Sequence, residues 1–269
     1  MESEGSADLL AFLASLVGIS HLTTDNVTHN SIQFEGHYLQ SFRWLLPWAT
    51  DGFLKSNYVQ LDASFHALHP YVYCIPLAII RNHPVLLGLF VERSENKIMY
   101  SNFFSSLMSL EIPIDLIREK PILSDQGRAI IAAVAEVGAF HFFCFRHLIE
   151  KLGGRTILAA MARRLLYLPS QSQYIESLPQ TLSDLHALAQ NNLIDVTDVV
   201  KICDIFDWQY SDGVIIPRED GLFTQAIWFR GPMSVSTCSN HIERLHRTLN
   251  ESVGDVKIIR KKAGWRKSF

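Results

Sequence analysis

Two aspartates stand where short apolar runs end, and carboxylates so placed can hold divalent cations. Asp62 lies near the end of Tyr58–Ser64 (YVQLDAS), and Asp125 directly follows Lys120–Ser124 (KPILS). Open α/β sheets gather their ligands at the carboxyl ends of strands. Mg²⁺ takes oxygen ligands and keeps several waters, so few protein carboxylates suffice. Two such ions, roughly 4 Å apart, can activate a water or a 3′-hydroxyl and stabilise the leaving oxygen of a phosphodiester. The simpler reading of a strand-end Asp is a turn or helix cap. A third carboxylate must come from elsewhere, and Glu243 on a late helix is the choice. Glu136 lies eleven residues beyond Asp125, inside a helix and about three turns from the strand end. Glu111 sits past a helix, and Glu92 ends an antiparallel strand.

Other residues could serve such a centre. His141, Cys144 and His147 recur every third position. Three donors without a fourth are an incomplete structural zinc set, so zinc is not expected there. Otherwise Cys144 is small buried packing and His147 a hydrogen-bonding or DNA-contacting group. His246 follows Glu243 by three residues on the same helical face, to touch a phosphate or to pack against the sheet. Arg244 and Arg247 suit phosphate contacts, or form an ordinary solvated face. The chain contains no GxxxxGK[ST] phosphate cradle and no GxSxG nucleophile elbow.

The elements that must position these residues are legible from Tyr58 onward. Tyr58–Ser64, Tyr71–Ile80 and Val85–Glu92 read as three strands, with a hairpin turn at Arg81-Asn82-His83-Pro84. Asn96–Leu110 reads as an amphipathic helix, Lys120–Ser124 as a buried strand, Gln126–Val137 as a helix and Ala139–Phe145 as a fifth strand. The order β-β-β-α-β-α-β implies an α/β fold with a mixed five-stranded sheet flanked by helices. Residues 1–55 form an N-terminal segment, read as mainly helical and irregular with a short amphipathic helix over Leu9–Leu16. Residues 56–147 hold the first part of the core. Residues 148–235 form a helical insertion, with Leu148–Leu168 and Gln180–Phe206 helical and Pro169 and Pro179 as breaks. Residues 236–253 return as the core helix carrying Glu243, opened by Ser236, Thr237 or Ser239, and 254–269 form a basic tail.

Bulk properties narrow the class. Hydrophobic residues make up 48% of the 269 residues and charged residues 19%, enough for a sizeable core. The net charge of −3 argues against a uniform nucleic-acid coat, but the charge is uneven. From Glu243 to Phe269 eight basic residues face three acidic ones, a local balance of +5 against −8 elsewhere. Lys257, Arg260, Lys261 and Lys262 with Arg244 and Arg247 are candidate DNA-binding residues, against the alternative of a solvated terminus. Cys74, Cys144, Cys203 and Cys238 are scattered without a CxxC pair, which favours a reducing compartment over a disulfide framework. The run Leu9–Ile19 is too short to span a bilayer and follows acidic residues, so a soluble, intracellular protein without a membrane partner is expected.

Four segments together resemble the Mutator-like element (MULE) family of transposases: LDASF (Leu61–Phe65), ILSDQGRAIIAAV (Ile122–Val134), HFFCFRHL (His141–Leu148) and SNHIERLHRTLN (Ser239–Asn250). Asp125 precedes Cys144 by nineteen residues, as the family's spacing of Asp to Cys-x-x-His requires. Ala63 intervenes between Asp62 and Ser64-Phe65, a departure from the family's Asp–Thr/Ser–Phe. The resemblance covers roughly Tyr58 to Asn250. It implies a ribonuclease-H-like core with a DDE active site of Asp62, Asp125 and Glu243, with Cys144 and His147 as a pair near it. Of the candidate third acids, Glu243 alone lies in a matching segment. The implied activity is metal-dependent cleavage and strand transfer during DNA transposition, with two Mg²⁺ or Mn²⁺ ions. Element ends and target DNA are the implied partners, and self-association and a nuclear location in a eukaryote (cytoplasmic otherwise) are also implied. A host-adapted, inactive DNA-binding descendant is the alternative, and a general nuclease of the same fold a third reading. Intact acids oppose the inactive descendant; the chain's shortness, with no DNA-reading module recognised in residues 1–55, favours it.

Overall fold

Three β-rich runs form an antiparallel meander, and each is broken at the same level. In the computed structural model, which describes residues 31–35, 38–65, 71–153, 156–218, 235–236 and 238–252, the first run is β3 (Tyr58–Gln60) and β4 (Ala63–Ser64). The second is β5 (Val72–Cys74) and β6 (Leu77–Ile80), and the third β7 (His83–Leu86) and β8 (Gly88–Glu92). The expected strands over 58–64, 71–80 and 85–92 are therefore interrupted at Leu61–Asp62, Ile75–Pro76 and Leu87. Pro76 brings no N–H to a ladder. Its carbonyl instead accepts the Leu87 N–H at 3.0 Å across the break. The hairpin turn is shorter than expected: only Arg81 and Asn82 take positive φ (49° and 68°), and His83 and Pro84 already belong to β7. Pro84 is tolerated because β7 is an edge strand.

The breaks divide the meander between two five-stranded sheets. One is mixed, in the order β10-β9-β3-β6-β7, where β9 is Ile122–Ser124 and β10 is His141–Phe143. In it β3 pairs with β6 antiparallel, whereas β3–β9 and β9–β10 are parallel. The other runs β1-β2-β8-β5-β4, with β1 (Ser31–Glu35) and β2 (Tyr38–Leu45) an antiparallel hairpin. This corrects the expectation of a mainly helical 1–55 segment. Phe42 and Trp44 fall on one face of β2 and Leu45 on the other, a period of two, so the aromatic-rich stretch is strand. The helix expected over Leu9–Leu16 lies outside the described residues.

Helices cover both faces. α1 (Ala49–Lys55), α2 (Lys97–Ser109), α3 (Ile114–Glu119) and α4 (Arg128–Val137) cover one, burying Phe53, Phe103, Phe104, Leu107, Ile117, Ile130 and Val134 against Val59 and Ile122. Asn96 caps α2 by accepting the Met99 N–H at 3.0 Å. The other face buries Tyr58, Tyr73, Leu77, Ile79, Leu123 and Phe142 beneath Ile242 and Leu245 of α9 (Asn240–Ser252).

Between them lies the insertion: α5 (Phe145–Glu150), α6 (Thr156–Leu166), α7 (Gln171–Gln190), α8 (Val196–Phe206) and a hairpin of β11 (Gln209–Ser211) and β12 (Val214–Ile216). It has its own core, including Leu158, Leu165, Tyr174, Leu185, Ile202, Phe206 and Trp208. Pro179 does not break the chain here. It lies inside α7, where the Thr181 hydroxyl donates to the Ser177 carbonyl at 2.8 Å near the interruption. Among the described residues no helix is long and apolar enough to cross a membrane.

Candidate functional site

Parallel pairing brings the carboxyl ends of β3, β9 and β10 to one edge of the mixed sheet. Gln60 pairs with Leu123, and Phe143 with Ser124. The ladder extends past the strands through Leu61 N–H to Leu123 O (3.0 Å) and Cys144 N–H to Ser124 O (2.6 Å). Asp62, Asp125 and Cys144 therefore leave three adjacent parallel strands within two residues of their ends.

Asp62 sits in the line of strand breaks. Its Oδ1 accepts the Ala63 N–H at 2.9 Å. Burial and the negative charge of Asp125 raise its carboxyl to about 7; His147 opposes the shift, and Glu243 adds to it. Asp125 Oδ1 accepts the Gly127 N–H at 2.9 Å, which forms the turn into α4 and starts that helix at Arg128 rather than Gln126. A Cβ on Gly127 would lie 3.0 Å from Asp125 Oδ1 and 3.3 Å from Glu95 Oε1. Glu95 is thus a neighbouring acid, its Oε1 accepting the Tyr100 hydroxyl at 2.8 Å. Nothing in its local sequence marked it out.

Glu243 reaches this edge because α9 is pinned to the sheet. Wholly buried Gln60 accepts the Ile242 N–H through Oε1 at 3.2 Å, and Ile242 packs on the core. Ser239, immediately before the helix, donates from Oγ to Glu243 Oε1 at 3.1 Å. The Arg146 guanidinium pairs with Glu243 Oε2, and His147 Nε2 lies 3.9 Å from Oε1. His246 is buried one turn further on. Its Nδ1 is 3.8 Å from Asp62 Oδ2, and its ring meets Tyr73 edge-on at 5.4 Å. Burial holds His246 down to about 4, so its ring is neutral at pH 7. One face of α9 thus sets Glu243 beside α5 and His246 beside Asp62.

Cys144 and His147 meet across the first turn of α5. The Cys238 thiol, the His147 ring and the Ser239 N–H (3.4 Å) surround the Cys144 sulfur and hold its thiol well below the ordinary range. The same contact raises His147. Cys144 is wholly buried, which bars a direct nucleophilic role. His141 does not join this pair: its Nε2 lies 2.7 Å from Ser124 Oγ.

Arg244 and Arg247 are exposed on α9. Lys257, Arg260, Lys261 and Lys262 lie outside the described residues. Two further cations stand at the rim that the sequence did not single out: Arg146, and Lys151, whose Nζ donates to Gln126 Oε1 at 2.8 Å and feels the charge of Asp125. No protein-family model matches the chain, and no curated protein matches its sequence.

Proposed function

We propose that this chain carries the catalytic domain of a DDE-type DNA transposase with a ribonuclease-H-like core, and that Asp62, Asp125 and Glu243 are its acids. One observation carries the reading. Two aspartates from neighbouring parallel strands and a glutamate from a helix some 120 residues later share one sheet edge, near enough that both other acids act on the Asp62 carboxyl.

The donor types suit a hard divalent cation. It would have to draw the three acids together, since among the described residues the one trio of ligand atoms within 4.8 Å is Cys144, His147 and Glu243. All three side chains offer carboxylate oxygens, and the mutual repulsion felt at Asp62 is what a cation would relieve. Magnesium or manganese held by these acids would supply the charge that activates water or a 3′-hydroxyl and stabilises the departing oxygen. The chain's own groups do the positioning. Ala63 N–H and Gly127 N–H fix one oxygen of each aspartate. Ser239 and Arg146 orient Glu243. Exposed Arg244 and Arg247 suit the phosphates of a DNA strand laid along α9. The partners are element ends and target DNA, acted on by more than one copy, in the nucleus if the source is eukaryotic.

The test is nicking and strand transfer on plasmid DNA with Mg²⁺ or Mn²⁺, comparing wild type with Asp62→Asn, Asp125→Asn and Glu243→Gln. The reading expects activity in wild type and loss of at least about a hundredfold in each variant. Cleavage unaffected by both aspartate changes would refute it. DNA binding without any cleavage would favour a host-adapted, inactive descendant, and cutting without joining a general nuclease.

A further inference from the structure

The third parallel strand delivers a donor set of different chemistry. Cys144 follows β10 directly, and His147 lies one helical turn on, so both side chains face the same way. Cys144 Sγ, a ring nitrogen of His147 and a carboxylate oxygen of Glu243 all lie within 4.8 Å of one another. The Cys238 thiol, from the segment leading into α9, contacts the Cys144 sulfur. Spacing alone gave three donors, of which His141 turns away; the fold adds Cys238 and Glu243 across roughly a hundred residues.

We propose that Cys144, Cys238, His147 and Glu243 form a zinc site that fastens the start of α9 to the end of β10. Two thiolates, an imidazole and a carboxylate are ligands that zinc accepts in a tetrahedral site. Bonds of about 2.0–2.3 Å need donors about 3.5 Å apart. Closure therefore asks the trio within 4.8 Å to tighten and Cys238, which touches Cys144 but stands outside that trio, to swing in.

Three surroundings fit. The Cys144 sulfur is buried and already accepts the Ser239 N–H at 3.4 Å, the kind of hydrogen bond that orients zinc thiolates. His147 Nδ1 is buried without a hydrogen-bond partner. Glu243 divides its oxygens, Oε1 toward His147 and Ser239 and Oε2 toward Arg146, so Oε1 can bind zinc while Oε2 keeps its pairing with Arg146. The site stands on these donors and does not depend on DNA chemistry. It takes a soft-ligand metal, whereas the aspartates offer only hard oxygens.

The experiment loads the reduced full chain with Zn²⁺, removes unbound metal, and measures zinc by elemental analysis. A parallel sample with Co²⁺ is read by absorption. One zinc per chain and a thiolate-to-cobalt charge-transfer band are expected. Cys144→Ser and Cys238→Ser should abolish the band. His147→Asn, at a half-exposed position that tolerates change better, should weaken zinc at least tenfold while circular dichroism stays native. Asp62→Asn and Asp125→Asn should keep the metal. A folded wild type that retains no zinc, or a cobalt band that survives both cysteine changes, would overturn the site. So would unchanged zinc affinity in His147→Asn. Loss of DNA cleavage with zinc intact would instead count against the transposase reading alone.

Discussion

Removing the charge of Asp62 should make the protein more stable at alkaline pH, because the fold holds that carboxyl in a place that disfavours ionisation. Its ordinary value of 3.8 is raised to about 7, first by burial and then by Asp125. Between those values the folded chain keeps a proton that the unfolded chain has released. By linkage, stability falls as pH rises across that window, and the loss is complete above about 7. At about 1.4 kcal/mol per pH unit the whole span corresponds to about 4 kcal/mol. The side chain keeps 19% of its surface in water, which screens part of this, so about 2–3 kcal/mol is expected. Asn has nearly the same shape and can still accept the Ala63 N–H. The assay is urea unfolding of wild type and Asp62→Asn at pH 4, 6 and 8 without divalent cations. The two should nearly coincide at pH 4, and the variant should lead by about 2–3 kcal/mol at pH 8. Saturating Mn²⁺ should close the gap from the wild-type side, by about 2.7 kcal/mol at a hundred times Kd. Parallel profiles, or a variant less stable at pH 8, would refute the reasoning.

Further outcomes follow from close approaches and caps. Gly127→Ala puts a methyl 3.0 Å from Asp125 Oδ1 at a backbone angle that alanine accepts; stability should move by less than about 1 kcal/mol, while cleavage in the plasmid assay falls about tenfold to a hundredfold. Gly88→Ala brings a Cβ within 2.3 Å of the Trp44 carbonyl where β2 pairs with β8, and should destabilise by about 3 kcal/mol or more in urea titration. Asn96→Ala removes the cap of α2 and should cost about 1 kcal/mol, seen as a lowered Tm.

Element types were legible where one signal dominated. β-branched and aromatic runs marked the strands, and two of them, Tyr58–Ser64 and Lys120–Ser124, led to an acid, which pointed to Asp62 and Asp125. The breaks were not legible, because alternation continues across Leu61–Asp62 and only Pro76 hints at a fault. The β1–β2 hairpin was missed because Phe42, Trp44, Leu45 and Leu46 read as one apolar block until strand pairing separates their faces. The second hairpin did carry a signal: Asp212-Gly213 takes positive φ at both residues (51° and 79°), the turn that an Asp-Gly pair favours between strands. Its surroundings in the sequence are otherwise helical. Pro179 misled in the other direction, since a twenty-residue helix with buried Tyr174, Leu178 and Leu185 outweighs one missing hydrogen bond. Glu243 was found only through the segment around it. Its approach to Arg146 and His147 depends on how a long insertion returns, which no local pattern encodes. For the same reason Cys238 reads in the sequence only as one of four scattered cysteines.

The shared line of strand breaks has a consequence for how this molecule can vary. Asp62 hangs from neither a loop nor a strand interior but from a crease where two sheets part, framed by β3, β4, β5 and the close of β9. Trimming or lengthening surface connections leaves such a crease where it is, and hydrogen exchange at Leu61 should be as slow as in the sheets it joins. The insertion, with a core of its own, can therefore be rebuilt without disturbing the fold line that holds Asp62.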